Sequence, residues 1–249
     1  MSYDYERIRA TLEDGVLTAV LDNPPINLFS VELFREMAAF TRQLAADRDV
    51  RVLVMKSANP DFWIAHFDVE RLLAMPTESD PLPETELNAF HGMCERIRRM
   101  HVVTIAQVEG RAGGGGNEFL AGFDMRFGTP ACRFNQMEVP LGILPGGSGT
   151  QRLPRIIGRN RALELILGGA DLDAETAERW GYLNRILPAD GIDGWVRALA
   201  RRIASFPEPA VRAAKAAVNG ADLPLEAGLV EEQRLFRTLL PTPEARRSC

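Results

Sequence analysis

The chain has 249 residues, 46% of them hydrophobic and 25% charged, and a formal net charge of −5. That balance fits a globular protein with an ordinary core and gives none of the basic footprint that nucleic-acid binding needs. No apolar run approaches the ~20 residues that span a bilayer, and residues 1–7 lack the basic-then-apolar order of a secretory signal, so a soluble cytoplasmic protein with no membrane partner is expected.

Residues 7–10 and 16–21 read as a strand pair around Glu13-Asp14-Gly15, a hairpin turn of the Asp-Gly type. Pro24-Pro25 closes the second strand, Ser30 is placed to cap a helix, and apolar positions recur at helical spacing through Ala46. Residues 50–55 form a continuous β-branched run, the pattern of a strand covered on both faces. A helix is expected over 84–100, and residues 77–83 read as an exposed loop. The buried strand 102–108 leads into a glycine-rich strand-to-helix junction, with a helix opening at 117–122 and a short strand at 124–127. Helical periodicity resumes after Ser148, which is placed as another N-cap, and runs to Ile156. Helices are then expected over 174–180, 191–205, 207–219 and 224–239. The fold class is α/β: a strand-and-helix core over 1–190 and a helical region over 191–249.

Ala112-Gly-Gly-Gly-Gly-Asn-Glu118 is the most telling stretch. Four glycines strip side chains from a backbone that enters a helix, so something must approach it closely, and the unpaired N–H groups of a first helical turn suit a developing anion. Twenty residues on, Glu138 is followed by a second glycine-rich turn, Gly146-Gly-Ser-Gly-Thr150. Each glutamate has an ordinary alternative: Glu118 complements a helix dipole, and Glu138 is an acid in an apolar setting that needs a partner or a raised pKa. Together they suggest an oxyanion-stabilising enzyme with two acid/base carboxylates.

Other chemistries lack their patterns. Neither glycine cluster continues into the Gly-Lys-Ser/Thr of a P-loop or has dinucleotide-fingerprint spacing. Thr150 stands where a nucleophile elbow requires glycine. His66, His91 and His101 are scattered, Cys94, Cys132 and Cys249 have no metal-like spacing, and no metal is implied. The run Glu95-Arg-Ile-Arg-Arg-Met-His101 reads as the solvated, cationic end of a helix, with a ligand phosphate as the alternative.

The segments 103–124 and 134–153 resemble the crotonase superfamily of enoyl-CoA hydratases and isomerases. Pro25-Ile-Asn-Leu-Phe29 is similar to the family's early Pro-x-Asn-Ala-Leu segment, Trp63-Ile-Ala-His-Phe-Asp-Val69 to its Phe-Ser-Ala-Gly-Ala-Asp-Leu loop, and 168–184 to its Thr-Gly-x-x-x-x-Ala segment. The resemblance implies a spiral of strand-strand-helix turns, a helical region that trimerises, and an acyl-CoA thioester whose carbonyl sits between the amides of Phe67 and Gly115. Glu118 matches the base toward water and Glu138 the acid toward Cα. Asn27, Leu28, Ala65, His66, Asp68, Gly114 and Gly146 fall at substrate-binding positions. The implied reaction is reversible hydration of a 2-enoyl-CoA, with coenzyme A as part of the substrate, no further cofactor and no nucleic acid, in a homotrimer or a hexamer made of two trimers. A Δ3/Δ2-enoyl-CoA isomerase and a non-catalytic acyl-CoA- or RNA-binding member are the alternatives; acidic charge opposes RNA binding, and the glutamate pair opposes loss of catalysis. His66 stands where the family has glycine, Trp63, Ile64 and Phe67 add bulk near the thioester, and 241–249 is shorter than the family's final helix.

Overall fold

The computed structural model describes residues 2–74 and 86–248. The loop expected at 77–83, the start of the helix expected at 84, and Cys249 lie outside them.

In chain order the elements are β1 (Ile8–Glu13), β2 (Val16–Leu21), α1 (Val31–Ala46), β3 (Val52–Ser57), β4 (Phe62–Ile64), α2 (Val69–Leu73), α3 (Ala89–Arg99), β5 (Val103–Val108), β6 (Arg111–Gly113), α4 (Gly115–Leu120), β7 (Met125–Gly128) and β8 (Arg133–Asn135). They continue with α5 (Gly149–Ile157), α6 (Arg159–Gly168), β9 (Leu172–Asp173), α7 (Ala174–Trp180), β10 (Arg185–Ile186), α8 (Ile192–Ala204), α9 (Glu208–Asn219), α10 (Leu225–Leu239) and α11 (Pro243–Ser248). Asp14 and Gly15 both take positive φ, so the two-residue turn pins the antiparallel register of β1 on β2. Ser30 caps α1 by accepting the Leu33 N–H, and Asn88 caps α3 through His91.

Strands follow the order β1-β2-β3-β5-β7-β10 in one sheet and β4-β6-β8-β9 in a smaller one. From β2 through β10 the large sheet is parallel, and β4, β6 and β8 are parallel in the small one. The first strand pair, β1 and β2, lies in the large sheet; the coil arises because each later turn sends its first strand to the large sheet and its second to the small sheet. Successive turns stack β3 on β2, β5 on β3 and β7 on β5, while β4, β6 and β8 stack around the corner. The small sheet is absent from the expected elements because strands of two or three residues carry no readable periodicity. α6 is likewise absent from them.

One core fills the coil, with Leu17, Phe29, Leu33, Trp63, Phe119 and Phe134 among its fully buried members. A second lies on the other face of the large sheet, where Ile192, Val196, Ala200 and Ala204 of α8 cover Val52, Val54 and Ile105. The apolar stripe of α8 is thus consumed within the chain. That of α10 is not: Leu225, Leu229, Val230 and Phe236 are exposed, and the helix has no buried residue. Among the described residues no helix is long and apolar enough to cross a membrane.

Candidate active site

The four glycines close the junction between β6 and α4 by letting four different neighbours come close. A Cβ at Gly116 would stand 2.6 Å from the Ile64 carbonyl oxygen, and one at Gly113 would stand 2.5 Å from that of Ala65, both backbone atoms of the adjacent turn. At Gly115 the neighbour is the Phe67 Cβ, at 3.0 Å. Gly114 has φ of +47° and turns the chain so that a Cβ there would be 3.1 Å from Glu138 Oε1.

That packing brings Phe67 and Gly115 into contact. Phe67 forms a parallel bridge with Phe29, in which Phe29 N–H donates to the His66 carbonyl and Asp68 N–H donates to the Phe29 carbonyl. In this pattern the N–H of Phe67 points away from the bridge, and among the described residues it has no acceptor. Gly115 opens α4, where a first-turn N–H has no intrahelical acceptor, and it too lacks a partner among them.

Glu118, on α4, is 4% exposed, and its Oε1 accepts the amides of Gly147 at 2.8 Å and Gly149 at 2.7 Å. Burial, with the Glu138 charge adding to it, raises its pKa from the ordinary 4.5 to about 7 despite those two donors. Gly147 and Gly149 are necessary for this approach, since a Cβ at Gly147 would lie 2.5 Å from Glu118 Oε2. Ser148 occupies the N-cap position of α5 as expected, yet its φ is +103° and its side chain makes no cap; its hydroxyl accepts from Arg152 Nε instead. Arg152 is tied to Glu95 on α3, which fixes the loop. Glu138 is 8% exposed, its pKa also pushed up by burial, and its Oε2 is buried without a partner.

Both carboxylates open into one cavity of about 510 Å³, walled also by Phe67, Gly115, Gly146 and Gly147. Phe34, Phe90, Ile143 and Leu144 make most of the remaining wall apolar. Phe90 meets Phe67 edge-on at 6.5 Å and stacks on Phe34 at 6.2 Å. Phe34 and Phe90 were not legible as site residues, because in the sequence each is one more apolar position on a helix.

The remaining expected positions lie elsewhere. Asn27 is buried and donates through Nδ2 to Ser57 Oγ and the Trp63 carbonyl, fastening the β3–β4 corner. The Leu28 carbonyl accepts from Asn23, the Ala65 amide donates to Ile26, and Asp68 caps α2 through Arg71. His66 donates through Nδ1 to the Phe67 carbonyl at 2.8 Å. None of these side chains lines the cavity, so these residues shape the loop that carries the Phe67 amide. Trp63 and Ile64 are fully buried in the core, Trp63 packed on Phe119 and Phe123, and the bulk expected from them near the thioester is not there. Cys94 and Cys132 are buried, with thiol pKa values pushed up to about 12 by desolvation. Among the described residues no group of three His, Cys, Asp or Glu side chains is placed to hold a metal ion.

Two buried glutamates and two unpartnered amides around one apolar cavity are accompanied by similarity along the whole chain. The sequence model of the enoyl-CoA hydratase/isomerase family matches residues 11–249. The chain belongs to that family. A Rhizobium meliloti protein named "Probable enoyl-CoA hydratase" is 33% identical over 246 residues, covering 98% of this chain and 93% of its own. A Mycobacterium bovis protein of the same description is 32% identical, covering 96% and 92%. The crystal structure of enoyl-CoA hydratase from Bacillus anthracis superposes with a TM-score of 0.87 at 27% identity, covering 96% of this chain and 92% of that one. The mixed α/β coil is therefore the fold of the family, and members of the family act on acyl-CoA thioesters.

Proposed function

We propose that the protein is an enoyl-CoA hydratase that adds water reversibly to a 2-enoyl-CoA. The observation that carries this reading is the pair Glu118 and Glu138, both buried, both facing the cavity that the Phe67 and Gly115 amides also reach. The thioester oxygen sits between the two amides, which polarise the enone and hold the enolate; one preorganised donor of this kind is worth about 3–4 kcal/mol of barrier. Glu118, ionised, takes a proton from water as its oxygen attacks Cβ. Glu138, protonated, delivers a proton to Cα, and the reverse direction exchanges the roles. Burial raises the pKa of both carboxyls and brings Glu118 to about 7, where a base is most effective. No metal or redox group enters this scheme, and coenzyme A is part of the substrate.

An isomerase moving a double bond from Δ3 to Δ2 needs one proton shuttle and no attacking water. The second buried carboxylate favours hydration. A panel of 2-enoyl-CoA esters followed by loss of enoyl absorbance tests the reading: hydration is expected, and turnover of 3-enoyl esters alone would replace it with isomerisation. A trimer, or a pair of trimers, accords with the uncovered apolar side chains of α10.

A further inference from the structure

Phe34, Asn88 and Ala89 wall the cavity over the carboxylates, and the same three residues form the inner wall of a second cavity of about 380 Å³. This second space is the slot between α1 and α3. The two helices run side by side in one direction: Phe34 stacks on Phe90 near their starts, and about two turns on Arg96 Nη1 donates to Thr41 Oγ1 at 3.0 Å. Small residues keep the slot open, with Ala38 on α1 and Ala89 and Gly92 on α3; a Cβ at Gly92 would meet nothing within 4 Å.

The far end of the slot is cationic. Arg42 and Arg96 line it, Arg35 lies at the near end beside Phe34, and among the described residues none of the three has a carboxylate partner. Arg35 and Arg42 are exposed and Arg96 is the shielded one of the three; other partly shielded arginines of this chain are paired, Arg7 with Glu36, Arg98 and Arg152 with Glu95, and Arg111 with Asp171. Arg96 is half-buried, and desolvation together with the charge of Arg42 pulls its pKa down. Two like charges held together in a partly dry slot are unfavourable until an anion joins them, and the planar guanidinium fork matches a carboxylate in particular.

We propose that this slot is a subsite for a carboxylate at the far end of the acyl chain, so that the substrates include enoyl thioesters whose acyl group ends in an acid. The proposal rests on the hydratase reading of the adjoining cavity. From Phe34 to Arg42 and from Ala89 to Arg96 is about 10–12 Å of helix rise, and helical side chains lean back toward the N-terminus, which brings both guanidinium groups nearer the shared wall. The matching chain is therefore of medium length. It crosses the phenylalanine-lined cavity with its methylenes and reaches the arginines with its charge. Hydration at Cβ leaves that terminal carboxylate unchanged.

The test compares saturated acyl-CoA esters of six, eight and ten carbons with their ω-carboxy counterparts by calorimetric binding, and the matching 2-enoyl esters by kcat/KM. Wild type is set beside Arg42→Gln, at an exposed site, and Arg96→Gln. At one chain length the carboxylated ester is expected to bind at least tenfold tighter than the neutral one. Each substitution should remove about tenfold of that preference, the scale of one charge-assisted hydrogen bond, while the neutral ester shifts less than about threefold. The preference should persist with N-acetylcysteamine thioesters, which carry no nucleotide phosphates. Equal losses on neutral and carboxylated CoA esters, vanishing with the truncated thioesters, would assign the arginines to the phosphates of coenzyme A and overturn the proposal. So would identical profiles in all three proteins. Failure of the wild type to hydrate any enoyl ester, neutral or carboxylated, would instead overturn the hydratase reading, and binding of the saturated esters would still report on the slot.

Discussion

Glu118 Oε1 accepts the Gly149 amide at 2.7 Å, so a buried carboxylate on α4 does the capping that Ser148 leaves undone on α5. Replacing Glu118 with Gln keeps an oxygen for those amides and removes only the titrating group. Glu118→Gln and Glu138→Gln are each expected to lower hydration at least about 100-fold while binding of a saturated acyl-CoA stays nearly intact, as general acid–base groups require. Full activity in either variant would remove that residue from the mechanism.

The raised pKa of Glu118 predicts the pH dependence. As a base it works ionised, so kcat/KM should climb with pH and level off above about 7. Stability runs the other way. Between the ordinary 4.5 and about 7 the folded protein holds a proton that the unfolded chain has released, so unfolding free energy falls as pH rises through that window and is flat beyond it. The full shift corresponds to about 3 kcal/mol. Denaturant titrations at pH 5 and pH 8 should show Glu118→Gln losing less stability over this interval than wild type. Equal losses would mean that Glu118 titrates in the ordinary carboxylate range.

Gly115→Pro separates the amide donor from the fold. Proline is accepted at the first position of a helix, where it deletes an N–H that has no intrahelical partner. Turnover of every thioester should fall by two to three orders of magnitude, the scale of one lost oxyanion donor, with a modest change in melting temperature. Gly116→Ala should instead fail to fold stably, because its Cβ would press on the Ile64 carbonyl at 2.6 Å. Wild-type rates in the proline variant would show that the oxyanion is held elsewhere.

The sequence carried the large sheet except for the two-residue β10, together with α1 and the helices from 191 on, because each has enough residues to show a period, with a recognisable cap at Ser30 and a turn at Asp14-Gly15. It carried the glutamates and glycines because such residues are conspicuous against apolar surroundings. The small sheet did not show, since β4, β6 and β8 have three residues each. Nor did the division of labour within 62–68. Trp63 and Ile64 are neighbours and both fully buried, where the register of β4 is irregular, while Phe67 lines the cavity and is held there by the Phe29 bridge, a contact between distant segments.

Phe67 contributes an amide and a ring to the same cavity, and the two can be tested apart. Phe67→Ala keeps the N–H and opens space beside Phe90, so the preferred acyl length should grow by one or more methylenes, each worth up to about 0.8 kcal/mol. Measuring kcat/KM over four-, six-, eight- and ten-carbon enoyl-CoA esters alongside melting temperature checks this. An unchanged profile with a lower melting temperature would leave the ring a purely structural part.

Leu229, Val230 and Phe236 of α10 stand exposed, and assembly through this helix is predicted. Light scattering should give a multiple of three subunits, and Leu229→Glu with Phe236→Glu should yield a smaller species. A wild-type monomer at micromolar concentration would contradict this.

The coil spreads the groups proposed to react over three consecutive turns: Phe67 follows the strand pair of the second, Gly115 and Glu118 follow that of the third, and Glu138 that of the fourth. No single turn holds a usable fragment of the machinery. Turnover is therefore a coincidence detector for correct stacking. A molecule with one turn slipped by a residue would keep most of its helices and buried area and yet be catalytically silent, which makes recovered activity a stricter measure of refolding than any spectroscopic signal from the helices.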